Sequence, residues 1–368
     1  MPGPTLAPAT TLAPATTAPA TTAPATTAPA TTLAPATTAP ATTAPATTAP
    51  ATTLAPSTPG NLPTLPALTL AFGSLAAGNA ATSVTVIRDH VKVYGWATGA
   101  TTGGAPMTSD SPLVLASVSK LITALTIARL AEHRKIDVAG PMPWSRLGIA
   151  HDPAWNDVTI RELLDHTAGM PKAQESWLNQ PGSCAVPLAA ALATPPNGTR
   201  GTWSYSNGNY CALGLLIEAV TGQTRASAAD SLIFDAIDVT GPHLTTDGLQ
   251  AADGPYPQGV ARLERLGGAG TWLASTDDVA AMLDSVTQAD RDTLRYPGII
   301  TDQYGWGHTG TVDGAKSCAW VMEGGRTVVV ATVAGNRPAT GGKVCDALVP
   351  ALVSGLGLWA GTPTRRPE

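Results

Sequence analysis

Three short patterns in this 368-residue chain hold the residue types needed for acyl transfer. Ser117-Val118-Ser119-Lys120 sets a hydroxyl and an amine three residues apart. Tyr205-Ser206-Asn207 offers a phenol and an amide. His308-Thr309-Gly310 sets an imidazole two residues before a glycine. A serine hydroxyl is a poor nucleophile until a base takes its proton. Near a helix start, residues i and i+3 share a face, so Lys120 is expected one turn behind the Ser117 hydroxyl. Burial and a positive helix N-terminus would lower the lysine pKa and make it that base. Tyr205 is the other candidate: its ordinary pKa is near 10, and a cation such as Lys120 favours the phenolate. The two can also titrate as a unit, and the residues alone leave both open.

The remaining positions complete a substrate site. The Asn207 amide suits a bridge, holding Lys120 and donating to a substrate carbonyl. His308 is expected to reach the site from a strand, as a hydrogen-bonding or electrostatic contributor. Thr309, Gly310 and Thr311 continue that strand, and Gly310 lets a substrate lie close to the backbone. Backbone N–H groups of Ser117 and Thr311 are the natural oxyanion donors. Each pattern is weak alone, but each occurs once, and their order and local context agree.

Other residues read more simply as structural. Ser119 points to a different face from Lys120 and is expected to pack. His166 sits at a helix end before Thr-Ala-Gly and reads as a structural residue rather than a general base. His90, His133, His151 and His243 have no partner pattern. Trp203 and Trp306 flank two motifs, where packing is the commoner role of a tryptophan. Asp152 and Asp157 suggest no metal site, because no carboxylate cluster has a convincing ligand spacing. No metal and no cofactor are expected.

The elements that must position these groups follow from periodicity. Residues 83–88 and 91–96 alternate as strands, with Asp89-His90 between them as a hairpin turn. Leu121, Ile122, Leu125, Ile127 and Leu130 mark a helix over 117–133. Further helices are expected over 159–166, 207–222 and 276–283, the last with Asp277 and Asp278 at its N-terminus. Strand-like stretches follow at 304–311, 319–322 and 327–333, then a helix from about Val344. Strands at both ends of the domain and helices between them give an α+β plan. Its N- and C-terminal segments share an antiparallel sheet, and the helical middle forms a second lobe. The cleft between the two is the natural site.

Composition divides the chain differently. Residues 1–66 contain no Asp, Glu, Lys or Arg and are mostly Ala, Pro and Thr. The unit Ala-Pro-Ala-Thr-Thr repeats, with Leu12, Leu33 and Leu54 marking a longer period. Proline at this density forbids helix, and the near absence of large apolar residues leaves ordering entropy unopposed. Residues 1–66 are therefore expected to be a disordered, polyproline-II-rich stalk, residues 67–362 the folded domain and residues 363–368 a flexible end. Thr/Pro-rich stretches are frequent O-glycan acceptors.

The formal net charge is −5, from 21 basic and 26 acidic residues, with no basic cluster to bind nucleic acid or a membrane surface. No transmembrane segment is apparent: the apolar stretch 347–360 is too short and contains Pro350. Met1-Pro2-Gly3-Pro4 lacks the charged and apolar regions of a signal peptide. That is odd for a repeat-rich secreted chain, so Met1 is expected not to be the natural start. The four cysteines, Cys184, Cys211, Cys318 and Cys345, lack metal-ligand spacing. They suit two disulfides in an oxidising compartment. The neighbour pairs Cys184 with Cys211 and Cys318 with Cys345 are the simplest of three connectivities, and four free thiols are the alternative.

Across roughly residues 75–355 the chain resembles the superfamily of class C β-lactamases, DD-peptidases and serine esterases. The resemblance rests on Leu115-Ala116-Ser117-Val118-Ser119-Lys120, on Leu163-Leu164-Asp165-His166-Thr167-Ala168-Gly169-Met170-Pro171, on Trp203-Ser204-Tyr205-Ser206-Asn207, and on the Gly-Gly and Ser-Thr-Asp of residues 267–278. Class C β-lactamases usually carry Lys-Thr-Gly where this chain has His308-Thr309-Gly310-Thr311-Val312. The latter looks like the secreted D-alanyl-D-alanine carboxypeptidases of the superfamily. The resemblance implies a β-lactamase/DD-peptidase-like fold and an acyl-enzyme at Ser117, formed on peptidoglycan peptides outside the cytoplasm. It equally accommodates an esterase, a D-amino-acid amidase or a β-lactamase. A non-catalytic surface binding module is the reading from another class, opposed by the presence of every motif residue. The expected partner is a small peptide, ester or β-lactam, with a cell-wall peptide as the natural source, and the expected state is a monomer.

Overall fold

The computed structural model describes residues 66–172, 181–294, 300–302 and 304–356. The expected stalk, apart from Pro66, and the expected flexible end lie outside these residues.

In chain order the elements are α1 (Pro66–Ala76), β1 (Ala81–Arg88), β2 (Val91–Gly99), β3 (Leu113–Val114), α2 (Ser119–Glu132), α3 (Ile160–Leu164), α4 (Ala185–Leu192), α5 (Asn207–Thr221) and α6 (Arg225–Ala229). They continue with β4 (His243–Leu244), β5 (Trp272–Ala274), α7 (Thr276–Asp284), α8 (Gln288–Leu294), β6 (Ile300–Asp302), β7 (Gly305–Val312), β8 (Ala315–Met322), β9 (Thr327–Ala334) and α9 (Gly341–Gly355).

The main sheet is antiparallel throughout, in the order β2-β1-β9-β8-β7-β6. The N-terminal hairpin thus pairs with the last strand, as the α+β plan requires. Asp89 and His90 both adopt positive φ, the conformation that a two-residue hairpin turn demands. Register sorts the side chains into two faces. Val84, Ala331, Cys318 and Thr309 lie in one row, and Thr85, Val330, Ala319 and His308 in the next, on the opposite face.

One face packs on α1 and α9, through Leu68, Phe72, Trp320, Val329, Val344 and Leu348. The other joins the larger core of the helical lobe, where Val321, Val328 and Val330 meet Leu121, Leu125 and Val279. β1, β8 and β9 are consequently buried on both sides. Their runs of Val and Ala suit strands without a solvent face.

Four helices, α1, α4, α6 and α8, were not expected from the sequence, and two of them bear on the fold. α1 lies where the stalk was expected to end. Pro66 takes the first helical position, where its fixed φ is already helical and its missing N–H costs nothing. Leu68, Phe72 and Leu75 then bury one face. α4 opens at Cys184, which is bonded to Cys211 on α5, while Cys318 on β8 is bonded to Cys345 on α9. The neighbour pairing is the observed one, with one bridge in the helical lobe and one tying α9 to the sheet.

Candidate active site

Ser117 does not lie on α2 itself. Residues 116–118 form a single 3-10 turn before the helix begins at Ser119. Ala116 has φ +48°, an uncommon conformation for a residue with a side chain. It turns the chain sharply from β3 into the helix and leaves Ser117 at the top. Two contacts hold this turn to the sheet. Ser317 Oγ on β8 donates to the Leu115 carbonyl at 2.6 Å. Gly310 on β7 presses against the same carbonyl, and a Cβ there would collide with both Ser317 Oγ and Leu115 O.

Lys120, on the first turn of α2, is 1% exposed, and none of its hydrogen-bond partners among the described residues is a carboxylate. Its Nζ lies 3.1 Å from Ser117 Oγ, 2.8 Å from Asn207 Oδ1 and 2.8 Å from the Ala269 carbonyl oxygen. Burial pushes its pKa well below the ordinary lysine value. The partners agree with an uncharged amine. Nζ donates to all three; in the uncharged amine two N–H groups still serve Asn207 Oδ1 and Ala269 O, which can only accept, and the lone pair can turn to the Ser117 hydroxyl proton. Tyr205 then donates its own O–H to Ser117 Oγ at 3.0 Å. Burial raises the Tyr205 pKa to about 12, with the Ser117 hydrogen bond opposing, so the phenol keeps its proton at neutral pH. Of the two candidate bases, burial moves only the lysine toward its proton-accepting form.

Asn207 reaches Lys120 because α5 begins there. Ser206 caps the helix, its Oγ accepting from Gly208 N at 3.2 Å and donating to the Pro171 carbonyl. The Ala269 carbonyl is delivered by Gly267-Gly268. Gly268 lies against the Tyr210 carbonyl and Gly214 of α5, and Gly267, at φ +50°, lies against Cys184 Sγ. No other residue would pass between these neighbours, so the Gly-Gly pair positions a carbonyl that the motifs did not reveal. Thr123 Oγ1 donates to the Gly268 carbonyl at 2.7 Å and fixes the same segment from α2.

His308 projects from β7 toward the helical lobe and is 2% exposed. Its Nδ1 lies 2.6 Å from the Thr309 carbonyl, an acceptor, so Nδ1 carries the proton. Burial first, then the nearness of Lys120, lowers its pKa to about 3 against the favourable Thr309 bond. His308 is thus neutral and presents Nε2 as an acceptor. Its ring centroid is 6.2 Å from that of Tyr205.

Thr309 and Thr311 fall on the other face. Thr309 shares a row with Cys318, and Thr311 Oγ1 accepts from Gly341 N at the start of α9, 2.9 Å away. Of the expected substrate-binding residues, these two therefore offer their backbones and not their side chains, because strand residues alternate. Ser119 Oγ accepts from Trp272 N at 3.2 Å, in keeping with the packing role expected of it. Trp203 is 37% exposed with its ring 6.5 Å from Tyr205, whereas Trp306 packs against the core. A cavity of about 420 Å³ bordered by Thr101, Thr108, Asp110 and Ala251 includes none of the motif residues. Among the described residues no three His, Cys, Asp or Glu side chains are grouped to hold a metal, and no helix is long and apolar enough to cross a membrane.

A buried lysine beside a serine hydroxyl that also receives a tyrosine proton, held between a helical lobe and an antiparallel sheet, is equipment for acyl transfer. Residues 71–353 match the family model described as Beta-lactamase, and the chain belongs to that family, whose members are serine hydrolases of the β-lactamase/DD-peptidase superfamily. The fold is shared with SurE in complex with D-Leu: TM-score 0.64, 22% identity, covering 81% of this chain and 77% of that one. It is shared with a D-amino acid amidase from Ochrobactrum anthropi SV3: TM-score 0.64, 17% identity, covering 78% and 99%. FmtA from Staphylococcus aureus gives TM-score 0.64 at 16% identity, covering 82% and 90%. A curated relative, the putative fimbrial assembly protein FimD, serogroup D, of Dichelobacter nodosus, is 29% identical over 142 residues. That match spans 37% of this chain and 36% of the relative.

Proposed function

We propose that this protein is an extracytoplasmic serine hydrolase that forms an acyl-enzyme at Ser117 and acts, like a D-alanyl-D-alanine carboxypeptidase, on peptides ending in D-residues. The observation that carries the reading is the Lys120–Ser117–Tyr205 hydrogen-bonded trio. Lys120 takes the Ser117 proton as Oγ attacks the acyl carbonyl. The oxyanion forms against the backbone N–H groups of Ser117 and Thr311. As the carbon–nitrogen bond breaks, Tyr205 protonates the departing amine and its phenolate recovers a proton from the neighbouring Lys120 ammonium. Water then attacks the ester by the same route and releases the carboxylic acid and the free serine. Asn207 and the strand backbone from Thr309 to Thr311 hold the substrate in an extended line.

The His308-Thr309-Gly310 motif supports a D-configured acyl donor, as does the shared fold with SurE, seen with D-Leu, and with a D-amino acid amidase. The two disulfides support a location outside the cytoplasm. One observation favours a second reading, an amidase or esterase on uncharged substrates. His308 is neutral and Lys120 is committed to Ser117, so neither offers charge to a terminal carboxylate.

Intact-mass spectrometry of the protein and of Ser117→Ala with benzylpenicillin tests the proposal. A lasting adduct on the wild type alone supports the peptidase reading. Hydrolysed drug without an adduct indicates a β-lactamase. Neither outcome, together with turnover of D-amino-acid amides or esters, moves the assignment to the second reading. Hydrolysis retained in Ser117→Ala would refute the nucleophile.

A further inference from the structure

We infer that His166 is a positioning residue for Tyr205, acting as a hydrogen-bond acceptor that clamps the peptide on both sides of it. The inference rests on the reading above, in which Tyr205 serves the chemistry at Ser117.

Three donors from the segment around Tyr205 converge on this one residue. The His166 carbonyl accepts from Ser204 N at 2.8 Å. Its ring Nδ1 lies 3.3 Å from Ser206 N and 2.9 Å from Asn209 Nδ2. A backbone N–H can only donate, so Nδ1 is an acceptor and the ring proton sits on Nε2. The N–H groups immediately before and after Tyr205 therefore both end on His166. The imidazole also lies against the phenol itself, with ring centroids 4.5 Å apart, and against Tyr210 at 5.2 Å.

His166 is fixed from its other side. It follows the C-terminus of α3, a helix begun by a capping box between Thr159 and Glu162. Tyr210 on α5 donates its hydroxyl to the Leu164 carbonyl at 3.2 Å. His166 has φ +56° and is 1% exposed. Histidine and asparagine tolerate that backbone better than most residues, and both carry an acceptor near the same place. The groups around the ring are Lys120 from α2, His308 from β7, Tyr205, Tyr210 from α5 and the adjacent Asp165, which is near Arg161. Burial first, then Lys120 and His308, holds the imidazole uncharged and keeps its acceptor available. Apart from its own N–H, which donates to the Leu163 carbonyl, and its ring contact with Tyr210, the contacts of His166 lead to the Tyr205 segment, and it reaches Ser117 through the tyrosine.

The test is the rate of Ser117 acylation by a p-nitrophenyl ester, followed by intact mass, in full-length variants with melting temperatures recorded. His166→Phe is expected to slow acylation about 100-fold, the size of effect that an ångström of misplacement produces. His166→Asn is expected to recover most of that loss. In a Tyr205→Phe background, His166→Phe is expected to add nothing, because the positioned group is already gone. A crystal structure of His166→Phe should show the Tyr205 oxygen displaced from its 3.0 Å contact with Ser117. Unchanged acylation in His166→Phe, a full additional loss in the Tyr205→Phe background, or Tyr205 still in place would each overturn the inference. Absence of any labelling in the wild type would refute the functional reading instead, and the crystal structure would then decide the positioning role by itself. Should His166→Phe not fold, Asn209→Leu approaches the same clamp from α5, and an undisturbed Tyr205 in that variant would equally overturn it.

Discussion

Gly310 of β7 sits against the carbonyl of Leu115, two residues before Ser117, with no room for a side chain between them. That contact sets how closely β7 approaches the Ser117 turn. Replacing Gly310 by Ala is expected to push strand and turn apart and slow acylation about 100-fold. The fold should survive, because over-packing of this kind costs roughly 1–3 kcal/mol. Acylation rate and melting temperature, measured together, check this. A rate near wild type would mean that the two segments do not need their present spacing.

In the proposed mechanism Lys120 carries the pH dependence. Its uncharged form is the reactive one, and its pKa is depressed by burial, so kcat/KM should rise with pH through that depressed value and then level. Tyr205, pushed up to about 12, stays protonated across the plateau. Lys120→Met should lower kcat/KM at least about 100-fold and abolish the rising limb. A rising limb that persists in the variant would assign it to another group.

The sequence showed the chemistry more plainly than the supports. Ser117, Lys120, Tyr205, Asn207 and His308 were legible because acyl transfer needs those side-chain types at short, local spacings. The Ala269 carbonyl was not, since every residue has a carbonyl and only the packing of Gly267-Gly268 against α5 selects this one. Ser317 was likewise invisible, because its partner Leu115 lies 202 residues away. The outward turn of Thr309 and Thr311 does follow from the strand period once His308 is taken as facing the site. α1 was hidden by composition: its proline reads as a continuation of the repeat, although Leu68, Phe72 and Leu75 already have helical spacing. The hairpin, the strands of the C-terminal meander and α5 and α7 stood out because their periodicity and caps agree.

The two disulfides should be equal in stability and unequal in function. Each closes a loop with a sequence separation of 27, so removing either pair by Cys→Ala substitution should cost about 3–4 kcal/mol in the chain-entropy description. Only Cys184–Cys211 touches Gly267, and through it the carbonyl that holds Lys120. Loss of that pair should slow acylation as well, whereas loss of Cys318–Cys345 should lower only the melting temperature. Chemical denaturation and acylation rates on the two double variants distinguish them.

Asp165 offers a test of buried charge. Burial raises its pKa to about 6, with Arg161, 3.7 Å away, opposing. The folded state then holds a proton that the unfolded state releases from about pH 4 upward, so this group lowers stability as pH rises from there through 6. Asp165→Asn should therefore stabilise the protein by on the order of 1 kcal/mol above pH 7, with no gain near pH 4. Urea denaturation at the two pH values checks the sign.

The domain boundary can be set by truncation. A chain beginning at Asn61 should match the full length in melting temperature and activity. A chain beginning at Ala77 loses Leu68, Phe72 and Leu75 from beneath the sheet. At about 1.5–3 kcal/mol per buried side chain, that deficit rivals the whole stability of a typical domain. Equal melting temperatures for the two would show α1 to be dispensable.

The pairing of β1 with β9 has a consequence for how the protein is made. Ala81 lies beside Ala334, and the strand carrying His308 and Gly310 joins β1 only through β8 and β9. A ribosome has therefore delivered Ser117, Lys120 and Tyr205 long before the strand that completes their surroundings exists. Through most of its synthesis the chain lacks the middle of its sheet and stays unable to fold around Ser117. The surroundings of Ser117 therefore form late, once β8 and β9 have closed the sheet and Cys318 and Cys345 both exist to pair.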